Sequence, residues 1–154
     1  MDIDDNLKEI TETLLKKLGT DYKKVIVSED EKDNFSINIE CENPSLMIGH
    51  HGENIQALQH LVKVISWNQC KTEHFNILLD IDEYRKRQEE NILKMAQRKV
   101  ENARGTGRPQ TMPPMSPYFR RKVHMYCMGA GFEDIETLSQ GDGDVRHIII
   151  KLKN

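Results

Sequence analysis

The sequence of 154 residues has few aromatic residues, few cysteines and no long apolar segment. Its longest apolar runs, such as Ile148-Ile149-Ile150, are far shorter than the roughly 20 residues that span a bilayer. The amino terminus is acidic and does not resemble a signal peptide. The widely spaced Cys41, Cys70 and Cys127 fit neither a disulfide framework nor a CxxC metal site. We therefore expect a cytoplasmic protein with reduced thiols and no membrane insertion.

Basic residues are also in the minority, but they are unevenly distributed along the chain. The formal net charge is −3. Residues 1–82 carry 8 Lys and 16 acidic residues, whereas residues 83–154 carry 14 Lys and Arg and 9 acidic residues. Because salt screens charges over roughly 8 Å under physiological conditions, the basic second part can attract phosphate although the whole chain is acidic. A solvated basic helix without a ligand is the alternative interpretation.

The apolar pattern of the first 82 residues predicts the element order α-β-β-α-α-β. Helical spacing predicts a helix over residues 7–18, and alternation predicts strands near residues 25–27, 35–41 and 75–81. Asn43-Pro44 is a typical helix start and predicts a short helix over residues 44–47. The apolar positions from Ile55 to Ile65 predict a third helix. We expect this part to form one α+β domain.

A second, smaller α+β domain is predicted over residues 83–154, joined to the first by a long helix. Asp82 is a candidate cap for that helix, which is expected to stop at Gly105 and Gly107. An extended piece over residues 108–112 and a helix starting at Ser116-Pro117 follow. Two strands, over residues 133–138 and 145–152, predict a hairpin at the end of the chain.

The turn Gly49-His50-His51-Gly52 is the most informative segment of the first domain. Glycines at this spacing let a backbone approach a ligand closely and direct its amides at phosphate, although such pairs also occur in ordinary turns. A GxxG turn between two helices of an α-β-β-α-α-β unit resembles the loop of a type II KH domain, and the resemblance assigns residues 1–82 to that domain. It implies binding of single-stranded RNA or DNA by the loop and an adjacent groove. The residues implied are Ile48, Gly49, His50, His51, Gly52 and Asn54.

The two central histidines of this loop stand where the family often has basic residues. Histidine has a reference pKa near 6.5, so binding by His50 and His51 is expected to strengthen on acidification. The alternative is that both histidines only fill the loop. A metal site is a weaker alternative, because adjacent residues rarely converge on one ion.

The second candidate site is the pair Arg120 and His124, which lie four residues apart and hence on one face of a helix. A planar cation beside an imidazole suits the binding of a phosphate next to a base, although such pairs are usually plain surface residues. Arg-x-x-x-His after a proline-rich turn, with a basic helix before it and a hairpin after it, resembles the R-three-H domain over residues 83–154. The resemblance implies nucleic-acid contacts from Arg108, Arg120, Arg121 and His124.

A KH domain followed by an R-three-H domain resembles the SpoIIIJ-associated protein (Jag) family. The resemblance implies an RNA-binding protein that acts as a bacterial post-transcriptional regulator or RNA chaperone. It also suggests that the amino-terminal Jag domain is missing from this chain.

Two other function classes stay open. The chain could be a protein–protein interaction module that pairs with a small KH-domain protein in cell-envelope or division regulation, or with a second copy of itself. An enzyme is disfavoured, because no nucleophile arrangement, phosphate-binding loop or metal-ligand spacing is present in the sequence. We therefore expect neither catalytic residues nor a cofactor nor a metal.

Overall fold

The computed structural model describes residues 2–71 and 75–154. The chain divides into two compact units, Met1–Arg85 and Lys86–Asn154. Each unit has its own buried apolar cluster. The predicted α+β class is confirmed for the chain.

The first unit has the predicted order of elements. They are α1 (Ile3–Lys17), β1 (Lys24–Glu31), β2 (Asn34–Glu40), α2 (Pro44–Ile48), α3 (Glu53–Gln69) and β3 (Asn76–Ile81). The strands form a sheet in the order β1-β2-β3, in which β1 pairs antiparallel and β3 pairs parallel to β2. This is the α-β-β-α-α-β arrangement expected of a type II KH domain.

The core of the first unit lies between its helices and one face of its sheet. On β2 and β3 every second side chain is buried, as the alternating sequence predicts. The acidic residues Asp4 and Asp5 lie in the first turn of α1, and Lys16 and Lys17 lie in its last turn, which suits the helix dipole at both ends. Leu7 and Leu15 of this helix are almost fully buried. The packed helices thereby hold the turn between α2 and α3 at the surface.

The second unit contains α4 (Tyr84–Thr106), β4 (Gln110–Thr111), α5 (Pro117–Cys127), β5 (Ile135–Gln140) and β6 (His147–Leu152). Helix α4 begins two residues before this unit does. The strands form an antiparallel sheet in the order β4-β6-β5. The sequence predicts the hairpin of β5 and β6, and the extended piece after α4 contributes the third strand. Core residues include Ala96, Val100 and Val123 from the helices and Ile148 and Ile150 from β6.

The predicted cap of α4 is wrong in one detail. The carboxylate of Asp80, rather than that of Asp82, accepts the hydrogen bond from the backbone N–H of Arg85, at 3.0 Å. Asp82 instead accepts from the backbone N–H of Cys41 at 3.3 Å. The chain reverses tightly here, with positive φ at both Asp82 and Glu83, and this turns the Asp82 side chain back toward the end of β2. Burial and the neighbouring Asp82 carboxylate raise the pKa of the Cys41 thiol to about 11.

Candidate nucleic-acid interface

The turn between α2 and α3 has a backbone that depends on its glycines. Gly49 ends α2 with φ +73° and ψ −177°, a combination that is close to glycine-only. His50–Gly52 form one 3-10 turn, and Gly52 precedes α3 with φ +78° and ψ 18°. His51 also has a positive φ, of 51°. The segment is therefore a tight reversal that connects the two helices and leads directly into the first turn of α3.

Asn54 holds this turn in place. Its side-chain amide donates a hydrogen bond of 2.7 Å to the carbonyl of Leu46. A Cβ atom on Gly49 would lie 2.6 Å from Asn54 Cγ, which is closer than side chains approach one another. Because Gly49 has no Cβ, the Asn54 amide can occupy the space beside it. The sequence predicts Asn54 as a nucleic-acid contact, and the structure gives it a part in shaping the loop.

The other loop residues differ in their exposure. His50 and His51 are exposed, and their ring centroids lie 4.0 Å apart with the planes tilted by 59°. Ile48 is buried in the core of the first unit, so its side chain anchors the start of the loop by packing in that core. The two side chains between Gly49 and Gly52 are therefore solvent-exposed imidazoles.

An apolar groove of about 320 Å³ begins beside this loop. It lies where the end of α1 faces α2 and α3, and it shares Leu46 and Asn54 with the loop. The rest of its wall is mostly apolar and includes Leu15, Leu18, Met47, Ala57, Leu58 and Leu61. Such a surface can take up a planar apolar group, such as a nucleobase, next to a backbone held by the loop.

In the second unit, α5 and its neighbours hold Arg120 and His124 in fixed positions. Arg120 Nη1 donates to the carbonyl of Met115 at 2.8 Å, and His124 Nδ1 lies 2.6 Å from Thr137 Oγ1 on β5. Both side chains are half-buried. Burial and the charge of Arg120 lower the pKa of His124 below its ordinary value, which disfavours the charged imidazole. Arg120 therefore supplies the lasting positive charge of this pair.

Arg146 is a basic residue of this region that the sequence interpretation missed. Its Nε donates to Ser139 Oγ at 2.8 Å, and its Nη1 donates to the carbonyl of Gly141 at 3.3 Å. Burial and the charge of Arg146 lower the pKa of Arg120. Arg146 is far from Arg120 in sequence and shares no motif spacing with it, so no sequence signal identified it.

The two other predicted basic contacts are more exposed. Arg121 is exposed on α5, and Arg108 is exposed in the turn that follows α4. The backbone N–H of Arg108 donates to Thr106 Oγ1 at 3.3 Å. Arg146 differs from them in that its charge acts on Arg120 and helps to lower the pKa of that guanidinium.

Two further kinds of site are absent from the part of the chain that the structure describes. Its His, Cys, Asp and Glu side chains form no group of three or more that could hold a metal ion. None of its helices is both long and apolar enough to cross a membrane.

Comparisons with known families match both units. The profile described as the KH domain of KhpA/KhpB matches residues 8–77, and the R-three-H domain profile matches residues 90–152. The protein named RNA-binding protein KhpB from Clostridium symbiosum is 29% identical over 126 residues, which are 82% of this chain and 55% of that protein. A protein of the same name from Lactiplantibacillus plantarum is 28% identical over 77% of this chain and 36% of its own length. The one from Bacillus subtilis is 25% identical over 85% of this chain and 62% of its own length. The chain thus spans between about a third and three fifths of these curated relatives.

Proposed function

Because the chain belongs to the family that joins a KhpA/KhpB-type KH domain to an R-three-H domain, we propose that it binds single-stranded RNA without catalysing a reaction. The relatives that it matches are named RNA-binding proteins. The observation that carries the proposal is the glycine turn from Gly49 to Gly52, set between two helices beside an apolar groove. In this proposal the turn holds the RNA backbone, and the groove accepts bases.

In this proposal the basic second unit binds phosphates as well. Residues 83–154 carry a net charge of +5, and they include the half-buried Arg120 and the exposed Arg108 and Arg121. Phosphate contacts supply affinity that is independent of base sequence and falls with salt. We propose that the first unit positions the strand and that the second supplies most of the phosphate attraction. Such a division suits a post-transcriptional regulator or RNA chaperone.

A pair of variants at Gly52 tests the loop. Gly52 precedes α3 in the left-handed region, which Asn and Asp tolerate better than other side chains and where both are good helix caps. Gly52→Asp places a negative charge at the loop, and Gly52→Asn places an uncharged side chain of the same size there, so both variants add the same contact with Ile55. We expect Gly52→Asp to weaken binding of a labelled single-stranded RNA oligonucleotide, in fluorescence anisotropy, by about tenfold more than Gly52→Asn.

Equal affinity of the two folded variants would show that no phosphate approaches this loop. Circular dichroism establishes that both variants are folded. The same oligonucleotide made as DNA measures discrimination by the 2′-hydroxyl.

A second candidate function is pairing with a small KH-domain protein or with a second copy of this chain. The observation that favours it is the exposure of large leucines around the groove: Leu18 is 60%, Leu46 is 76% and Leu61 is 44% exposed. Contiguous exposed apolar surface often marks an interaction site. Light scattering with and without RNA separates the two candidates. A stable protein assembly without measurable RNA affinity favours pairing, whereas a monomer that binds RNA favours the first proposal.

A further inference from the structure

The first residue of α4, Tyr84, lies against the second glycine of the GxxG turn. A Cβ atom on Gly52 would lie 3.8 Å from Tyr84 Cε1 and 4.0 Å from the Tyr84 hydroxyl oxygen. Gly52 is buried, although His51 and Glu53 on either side of it are exposed. Tyr84 is itself half-buried and packs against the core of the first unit. The Tyr84 ring therefore supports the turn from the side that faces the protein.

The backbone before Tyr84 has an unfavourable conformation. Asp82 has φ +48° and Glu83 has φ +57°, so two successive residues with side chains lie in the left-handed region. Residues other than glycine adopt this region at a cost in free energy, and such strain persists where the surrounding structure enforces it. It tends to occur at functional sites. Here the strained reversal ends at Tyr84 and brings its ring to the glycine turn.

Hydrogen bonds on both sides of Tyr84 enforce this reversal. Before it, the backbone N–H of Asp82 donates to the carbonyl of Ile39 on β2 at 3.0 Å. After it, the buried Arg85 donates from Nε to the carbonyl of Leu79 on β3 at 3.0 Å. Tyr84 is thus held between two residues that are fixed to the sheet. Its ring is in place at the turn before any ligand arrives.

We propose that Tyr84 is a positioning residue for RNA binding, whose ring holds the turn from Gly49 to Gly52 in the conformation that receives the RNA backbone. This inference rests on the proposed function. Glycine has more backbone freedom than any other residue, so a turn with two glycines needs support from outside itself. Asn54 fills the space beside Gly49, and Tyr84 occupies the corresponding place beside Gly52. Without that support the turn spends less time in the binding conformation, and the apparent affinity falls by the same fraction.

The test compares Tyr84→Leu and Tyr84→Phe with Val27→Ala in the full chain. Leucine keeps apolar bulk but removes the planar ring, whereas phenylalanine keeps the ring. Val27 lies on β1, packs against the same core and does not line the groove beside the loop, so it controls for a general loss of packing. Association and dissociation rates of a fluorescently labelled single-stranded RNA oligonucleotide are measured by stopped flow. Circular dichroism establishes that each variant is folded.

We expect Tyr84→Leu to lower the association rate about tenfold and to leave the dissociation rate unchanged, because only the fraction of binding-competent molecules falls. Tyr84→Phe and Val27→Ala should both stay within about twofold of the wild type in both rates, because neither removes the support of the turn. A purely structural role of Tyr84 would move neither rate in a folded variant.

The outcomes separate this inference from the proposed function. If the wild-type chain binds no RNA, the proposed function itself fails. If the wild type binds and Gly52→Asp weakens it, but Tyr84→Leu matches Val27→Ala, only the role of Tyr84 is overturned.

Two other results would also overturn the positioning role of Tyr84. Faster dissociation of Tyr84→Leu at an unchanged association rate would mean that the side chain contacts RNA directly. An equal loss in Tyr84→Phe would assign the effect to the hydroxyl group rather than to the ring. If the leucine variant does not fold, Tyr84→Met takes its place, because methionine fills irregular space with a flexible apolar chain and also lacks the ring.

Discussion

Replacing Gly49 with alanine should destabilise the first unit far more than the same change at Gly52. Gly49 has φ +73° and ψ −177°, and a Cβ there would lie 2.6 Å from Asn54 Cγ and 2.8 Å from Asn54 Nδ2. A Cβ on Gly52 would approach no closer than 3.3 Å, to Ile55 Cγ2. The GxxG spacing in the sequence does not distinguish the two glycines, whereas the structure shows that a side chain fits less well at position 49 than at position 52.

The cost at Gly49 has two parts. Backbone strain in a region that is nearly restricted to glycine costs about 1–3 kcal/mol. Asn54 must also move away, and the loss of its hydrogen bond to Leu46 costs about 0.5–1.5 kcal/mol. The free energy of unfolding should therefore fall by about 2–4 kcal/mol, which lowers the Tm of a unit of this size by roughly 10 °C or more. Gly52→Ala, in the ordinary left-handed region, should cost about 1 kcal/mol.

Urea unfolding followed by the fluorescence of Trp67 measures this difference. Trp67 is the single tryptophan of the sequence and belongs to the first unit, where its indole N–H donates to the carbonyl of Phe75 at 3.1 Å. The control is Gly49→Ala in an Asn54→Ala background, in which the colliding amide is gone and the hydrogen bond is already lost. There the added cost should shrink to the backbone strain and the remaining 3.0 Å contact with the Cβ of residue 54. Equal losses for Gly49→Ala and Gly52→Ala, or equal losses in both backgrounds, would refute the reasoning.

Three further predictions concern single interactions. Gln59 Oε1 accepts hydrogen bonds from the backbone N–H of Leu79 and from Nη2 of the buried Arg85. Gln59→Ala should therefore lower the free energy of unfolding by about 1–3 kcal/mol, whereas Gln56→Ala on the same helix should change it little. Equal effects of the two variants in urea titrations would contradict this role of Gln59. Burial and the charge of Arg120 lower the pKa of His124 in the folded protein below the ordinary 6.5. As the pH falls, His124 of the unfolded chain therefore binds a proton before His124 of the folded chain does. The second unit should accordingly lose stability as the pH falls below about 6.5. His124→Asn should reduce that dependence in thermal unfolding followed by circular dichroism, and an unchanged pH profile would exclude His124 as its source. RNA binding should tighten between about pH 7.5 and 6 through the exposed His50 and His51. A His50→Asn, His51→Asn double variant, in which Asn tolerates the positive φ at position 51, should lose that tightening, and an unchanged affinity of the wild type across this range would remove the idea.

The order of helices and strands could be predicted because it depends on local signals. Alternation at Phe35, Ile37 and Ile39 predicts β2, and Pro44 and Pro117 mark helix starts that the structure confirms. The predicted resemblance to the KH–R-three-H family is confirmed by the two domain matches. The assignment of particular residues to RNA contacts stays a prediction, which the variants at Gly52 test.

The cap of α4 shows where local signals fail. Asp80 and Asp82 both precede the helix and are chemically equivalent as caps. The choice depends on how tightly the chain turns after β3, and that turn is set by the pairing of β3 with β2 and by the hydrogen bond from Cys41 to Asp82. A sequence window that contains only the two aspartates carries no information on that pairing.

The sequence by itself determined the fold class, the order of the elements, the glycine loop and the Arg120–His124 pair, because each of these depends on residue types at short, regular spacing. Only the tertiary structure decided that the space beside Gly49 is filled by Asn54, that burial and Arg120 lower the pKa of His124, and that Arg146 lies near Arg120. These properties depend on which distant groups pack together and how far burial removes them from water. Segments far apart in the chain, such as Met115 and β5, supply those groups, so no short motif encodes them.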